Sequence, residues 1–508
     1  MKKILTALFC TITLSAAAQQ QNTLLGSSFW QTQPDVNAVK AEIAKGNSPS
    51  QSNAIEMDPV VMAINAQAPA ETIKFLMEQP GNSISKLTHD GRTYLHWAAQ
   101  RGNIEVIDYL LSKGAKVNIM DTHGATPLLA AAGSGQQNTK IYDDFLAHGD
   151  NLKTNVSGDG ANALLLAIPN DKDLVLTNYF ISKGLDLKST DAEGNNAFAY
   201  AAKSGNIELM KTLQQKGIPV SPYALIMAAQ GGRRGPAGNG GGANLAVYEF
   251  IESLGVKPTA SSKNGNNVLH YLVRKPGQAE IIQHFLAKGV DVNQPDEDGN
   301  TVLIDAASAN RDTAILAMLL PKIKSINQAN PKGITALAMA VRSNSADVVA
   351  YLISHGASIN AVDRDGNNLA FYLIQSYSSR GGRGMGGAGN SPTADFDAKL
   401  KVLQDKGFKV TTPQQNGNTL YHLAVAKNDL SLVKHLQPLG IDINAKNKEG
   451  LTALHRAAMI SKDDAMMKYL ISVGAQKEAQ TNFKETAFDL AAENESLTKN
   501  NISVNFLK

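Results

Sequence analysis

Apolar residues at Ile104, Val106, Ile107, Leu110 and Leu111 fall on one face of a helix, and Gly114 stands where such a helix can end in the left-handed conformation. The run before it, Tyr94-Leu95-His96-Trp97-Ala98-Ala99, predicts a shorter helix that Thr93 can cap and Gly102 interrupts. A polar turn at Asp90-Gly91 precedes both. The pattern then returns. A glycine preceded by a polar or charged residue and followed two positions later by Thr or Asn recurs from Gly91 and Gly124 to Gly417 and Gly450, with most intervals between 33 and 36 residues. A second glycine series, from Gly114 and Gly149 to Gly440 and Gly474, trails the first by about 23 residues. Two glycine series in phase define a repeat of about 33 to 34 residues, each a turn and two helices.

The repeat resembles the ankyrin repeat. The match rests on His96, Ala98, Ala99, Gly102, Gly114, Ala115 and Asn118 in one unit. It extends to Thr126-Pro127-Leu128, to Thr335–Asn360, and to Thr452-Ala453-Leu454-His455 through Gly474. Weaker units complete the array: Val36–Gly46 reads as a lone second helix, Asp58–Gly81 as a degraded repeat, and Thr486–Glu493 as a terminal cap. The resemblance implies an all-α repeat solenoid of about 12 to 13 units, elongated and curved. Each unit is a helix-turn-helix with a turn or β-hairpin finger. Such a unit cannot bury its apolar face alone, so neighbours must stack. The organisation expected is residues 19–85 as degenerate repeats, 86–480 as the array, and 481–508 as a capping repeat and tail.

Composition narrows the setting rather than the task. The chain has 508 residues, a formal charge of +3 and one cysteine, which excludes a disulfide framework and a cysteine-cluster zinc site. Lys2 and Lys3 precede the apolar run Ile4–Leu14 and the small residues up to Ala18. That is the form of a secretory signal peptide over residues 1–18, so the expected location is the periplasm or outside the cell. No later stretch is apolar for long enough to span a membrane as a helix.

Two insertions depart from the period, GGRRGPAGNGGGA at 231–243 and SSRGGRGMGGAGNSP at 378–392. They fall between the first and second helix of units four repeats apart. They carry Arg233, Arg234, Arg380 and Arg383 and no acidic residue. Either they are tolerated expansions or they reach for an acidic partner. Short length and missing aromatics argue against nucleic acid.

Ankyrin-family partners meet the turn tips and the exposed ends of the first helices. Aligned on the repeat, those helix ends carry Arg101, Lys203, Arg274, Lys275, Arg342 and Lys427 and no acid. A cation also favours a helix C-terminus for dipole reasons, so a partner-facing strip and a purely local role both explain the row. A second row reads Trp97, Tyr200, Met227, Tyr271, Met339 and Tyr372. Trp97 and Tyr271 are its candidate interface anchors, against the alternative that the row packs on the adjacent repeat. His96, His270, His422 and His455 occupy the family's structural histidine position rather than a metal site. No catalytic motif, cofactor site or metal-ligand spacing is present. The expected function is non-catalytic binding of another protein with an acidic surface, by a monomer. The alternatives are a structural protein binding anionic polymer or lipid headgroups and, further off, a host-directed effector.

Overall fold

The computed structural model describes residues 22–231, 243–377 and 392–508. The signal segment and Arg233, Arg234, Arg380 and Arg383 lie outside the described residues. Within them, 28 α-helices pair off in chain order into fourteen helix-turn-helix units. The chain divides into two compact units, residues 1–200 and 201–508.

In the first unit, helix Ser27–Gln31 precedes Val36–Ala44, so the segment read as a lone second helix has its first helix after all. Five residues are too few to show a period. Trp30 holds it: the indole is fully buried and its Nε1–H donates to the Leu24 carbonyl at 2.8 Å. In the second unit the last repeat is also a complete pair, Ala487–Glu493 followed by Glu495–Lys499. Leu497 and Leu507 cover its apolar side. These two ends account for the difference from the 12 to 13 repeats expected.

Each repeat is assembled from the same local devices. Thr93, Asn267, Thr419 and Thr452 begin first helices, and the histidine three residues on folds back to each of them. At His96 the Nδ1 atom accepts the Thr93 N–H at 3.1 Å, while Nε2 sits 3.1 Å from the Ala125 carbonyl of the next turn. His422 and His455 reach the carbonyls of Leu451 and Ala479 in the same way, at 2.8 and 2.9 Å. Only a neutral ring with its proton on Nε2 satisfies both sides. Burial lowers the pKa of all four histidines below the ordinary value. The unfolded chain therefore binds more protons than the folded one as pH falls through about 6.5. Thermal stability should drop between pH 7 and pH 5, and a flat Tm profile over that window would contradict this arrangement.

The turns are equally regular. Asp121 accepts the N–H groups of His123 and Ala125, both at 2.9 Å, around Gly124 at φ +73°. A Cβ on Gly124 would lie 2.5 Å from the Gly158 nitrogen of the following turn, so both the conformation and the stacking require glycine. Adjacent turns are tied by single backbone bonds, Thr122 N–H to the Asp90 carbonyl in the first unit and Arg364 N–H to the Lys332 carbonyl in the second. Among the described residues β pairing is confined to three isolated bridges, so the finger is a turn rather than a ribbon.

Candidate protein-binding surface

The cations at the helix ends have specific neighbours. Lys275 directs its ammonium to the carbonyls of Ala229 and Gly231, at the end of helix Ala224–Gln230 in the preceding repeat. Lys427 does the same to Ile374 at 3.0 Å and Tyr377 at 2.6 Å, at the end of helix Leu369–Ser376. These are the two helices from which the insertions depart. Burial lowers the pKa of both ammonium groups, and nearby Lys203 lowers that of Lys275 further. Neighbouring repeats place neutral donors in the same role. Asn310 donates to the Val273 carbonyl, Asn344 to Ala307 and Asn310, and Asn494 to Ala458 and Ser461. A helix end has carbonyls without intrahelical partners, and each of these repeats supplies a donor to those of the one before it, whereas Gln33 and Gln67 donate forward to Ala66 and Arg101.

Arg101 donates from Nε to Asn65 at 3.0 Å, again one repeat back. Arg274 points forward and pairs with Asp305, whose carboxyl is buried. Burial pushes Asp305 up to about 6 against the pull of Arg274, so its protonation favours the fold as pH falls, one group opposing four histidines. Lys203 is half-buried, and its carbonyl oxygen would lie 1.8 Å from a Cβ on Gly231, which makes glycine obligatory where the first insertion begins. Arg342 is exposed. The row thus combines cross-repeat caps, the ion pair of Arg274 with Asp305 and the exposed Arg342.

In the aromatic row, Trp97 is 5% exposed, with Nε1–H donating to Thr88 Oγ1 at 2.9 Å and the Arg92 guanidinium 4.9 Å from the ring centre. Tyr200 and Tyr372 donate their hydroxyls to the turn carboxylates Asp191 and Asp363, at 3.1 and 2.7 Å. Met227 is buried, whereas Tyr271 and Met339 are half-buried. Trp97, Tyr200 and Tyr372 thus pack against the turn of their own repeat.

A different apolar set is open to solvent. Leu87, Met120 and Val156 are 63%, 58% and 37% exposed. Each directly precedes the polar residue that opens its turn, Thr88, Asp121 or Ser157, in three consecutive repeats of the first unit. Phe483, at a turn tip of the second unit, is 82% exposed. The signal for this set in the sequence is an apolar residue directly before the turn in each of three consecutive repeats. Among the described residues no cluster of three or more His, Cys, Asp or Glu could hold a metal ion, and no helix is long and apolar enough to cross a membrane.

Helix pairs joined by stacked turns, with capped helix ends and an open row of turn residues, define a repeat scaffold of the kind that binds other proteins. A family model described as ankyrin repeats matches residues 60–142, 241–329, 269–363 and 401–505, more than half of the sequence, and the chain belongs to the ankyrin repeat family. It is 27% identical over 254 residues to palmitoyltransferase AKR1 of Lachancea kluyveri, covering 48% of this chain and 28% of that one. It is 29% identical over 134 residues to the RelA-associated inhibitor of Mus musculus, covering 26% and 16%. Transient receptor potential cation channel subfamily A member 1 of Homo sapiens is 23% identical over 437 residues, covering 86% and 32%. The chain thus spans about a third or less of the length of these curated relatives. The crystal structure of the ankyrin repeat domain of Bcl-3 aligns with a TM-score of 0.34 and 18% identity, over 46% of this chain and 98% of that one.

Proposed function

We propose that this chain is an exported, non-catalytic adaptor that binds an acidic protein partner through its turn tips, its first-helix ends and the two Arg-Gly insertions. Ankyrin repeats mediate protein–protein interaction, and repeats run through the described residues from end to end. The observation that carries the reading is the exposure of Leu87, Met120 and Val156 at one turn position in consecutive repeats. Folding gains nothing from leaving three such side chains in water, whereas a partner would bury them. Arg342, with Arg233, Arg234, Arg380 and Arg383, supplies the charge that would steer an acidic surface into register. The basic and apolar start of the chain supports export.

Affinity capture from cell-envelope extract at low and moderate salt tests this, with mass spectrometry as readout. One bait carries the native sequence, a second Leu87→Ser with Met120→Ser, and a third alanine at the four insertion arginines. One protein held stoichiometrically at moderate salt, and weakened about tenfold or more by the second or third bait, is the expected result. Capture of anionic polymer alone, with no protein surviving moderate salt, would overturn the adaptor reading in favour of an envelope polymer-binding protein.

A further inference from the structure

One asparagine in the segment that follows the second helix stitches repeats together in the second unit, four residues after the terminal glycine at Asn293 and Asn444 and after Ile323 at Asn327. Asn293 donates to the Lys322 carbonyl at 3.0 Å and accepts the Lys324 N–H at 2.7 Å. Asn327 makes the same pair of bonds to Gly356 and Ser358, at 3.1 and 2.7 Å, and Asn444 to Gly474 and Gln476, at 3.0 and 2.9 Å. In each case a single carboxamide reads a C=O and the N–H two residues further along an extended segment. By position, Asn360 should bind Gly407 and Lys409. It does not: its side-chain amide has no partner among the described residues.

A cavity of about 400 Å³ opens there instead, lined by Asn360, Ile359, Val362, Phe408, Lys409 and Pro413 among others. Phe408 stands where the corresponding repeats carry Ala357 and Ala475. The seam is closed deeper down by reciprocal bonds between Asn368 and Gln414, at 2.7 and 2.9 Å, so the opening is not a failure of stacking. Its size is that of a ligand site. Its walls set Ile359, Val362, Phe408 and Pro413 beside the polar Asn368, Thr412 and Gln415, the exposed Lys409 is its one charged residue, and no acidic residue lines it.

We propose that this cleft binds an extended acidic peptide segment of a partner protein, whose backbone takes the place at Asn360 that neighbouring repeats take at Asn293, Asn327 and Asn444. Apolar side chains of the segment lie against Val362 and Phe408, and a carboxylate meets Lys409. Main-chain pairing supplies affinity and the pocket supplies specificity, as in strand addition. The inference rests on the chain being a protein binder, but on residues that the capture baits leave intact.

The test begins without a ligand. Asn360→Ala should leave Tm unchanged, whereas Asn327→Ala should lower it by removing a stitch. Equal losses from both would overturn the proposal, because Asn360 would then be bonded. A displayed library of random short peptides is then selected on the full chain, and a synthetic copy of the most enriched sequence is titrated by fluorescence anisotropy. Enrichment of sequences pairing an acid with an apolar residue is expected, with binding reduced about tenfold or more by Asn360→Ala and by Lys409→Glu. The variant lacking the four insertion arginines should bind the peptide as the native chain does. No enrichment, undiminished binding to both cleft variants, or loss in the four-arginine variant would each sink the proposal.

Discussion

Asp58→Ala should destabilise the N-terminal repeats by about 3–5 kcal/mol, the range found when one partner of a buried ion pair is removed. Asp58 is fully buried, and every contact it makes serves a different level of the structure. One oxygen caps helix Pro59–Asn65 by accepting the Val61 N–H at 2.9 Å. The other accepts the Tyr94 hydroxyl at 2.6 Å and pairs with Lys86 at 2.7 Å, linking this repeat to the next. Alanine would take from the buried hydroxyl the closer of its two acceptors, leaving Asn82 Oδ1 at 3.1 Å, and from the lysine its counter-charge, besides losing the cap. Because repeat stability is built from neighbouring interfaces, the damage should stay local. Hydrogen exchange should show the helices from Ser27 to Met77 opening while the second unit keeps its protection. A uniform loss of protection along the chain, or none, would contradict this. Asp58→Asn, which keeps the cap, should cost less.

Trp97→Ala should cost about 3–5 kcal/mol of stability, as expected for emptying the space of a large buried ring. As an exposed interface anchor Trp97 could be truncated with little change in folding and a large loss of binding. Its 5% exposure, its bond to Thr88 and the guanidinium of Arg92 over its face give the opposite expectation. Urea denaturation of Trp97→Ala and Trp97→Phe separates the two. Phenylalanine retains most of the packing and forfeits one hydrogen bond, so it should lose only about 1 kcal/mol. Stability unchanged in the alanine variant would return Trp97 to the surface.

Much of the fold was legible because an ankyrin-type repeat writes its backbone requirements into sequence. A left-handed residue at a turn calls for glycine, a helix start calls for Thr or Asn, and each recurs at the same interval. Helix Ser27–Gln31 was illegible for the converse reason: it has too few residues to repeat anything, and one buried tryptophan holds it in place. The candidate surface is less legible. Side-chain type at the helix ends suggests a basic strip, while nothing in the sequence marks Leu87, Met120 and Val156 as exposed, since an apolar residue in a turn looks the same whether covered or open.

The sequence alone determined the period, the pairing of short helices and the positions of the turns, all of which follow from interactions spanning a few residues. Tertiary structure decided what the side chains at the repeat edges face. Lys275 and Lys427 could have stood in solvent, and stacking brings the carbonyls of a helix more than forty residues earlier within their reach. Asn327 and Asn360 have the same repeat position, yet one is bonded and the other open, because that choice belongs to the packing of the next repeat. Local chemistry is periodic and can be read along the chain, whereas partners across a seam are set by how two particular repeats meet.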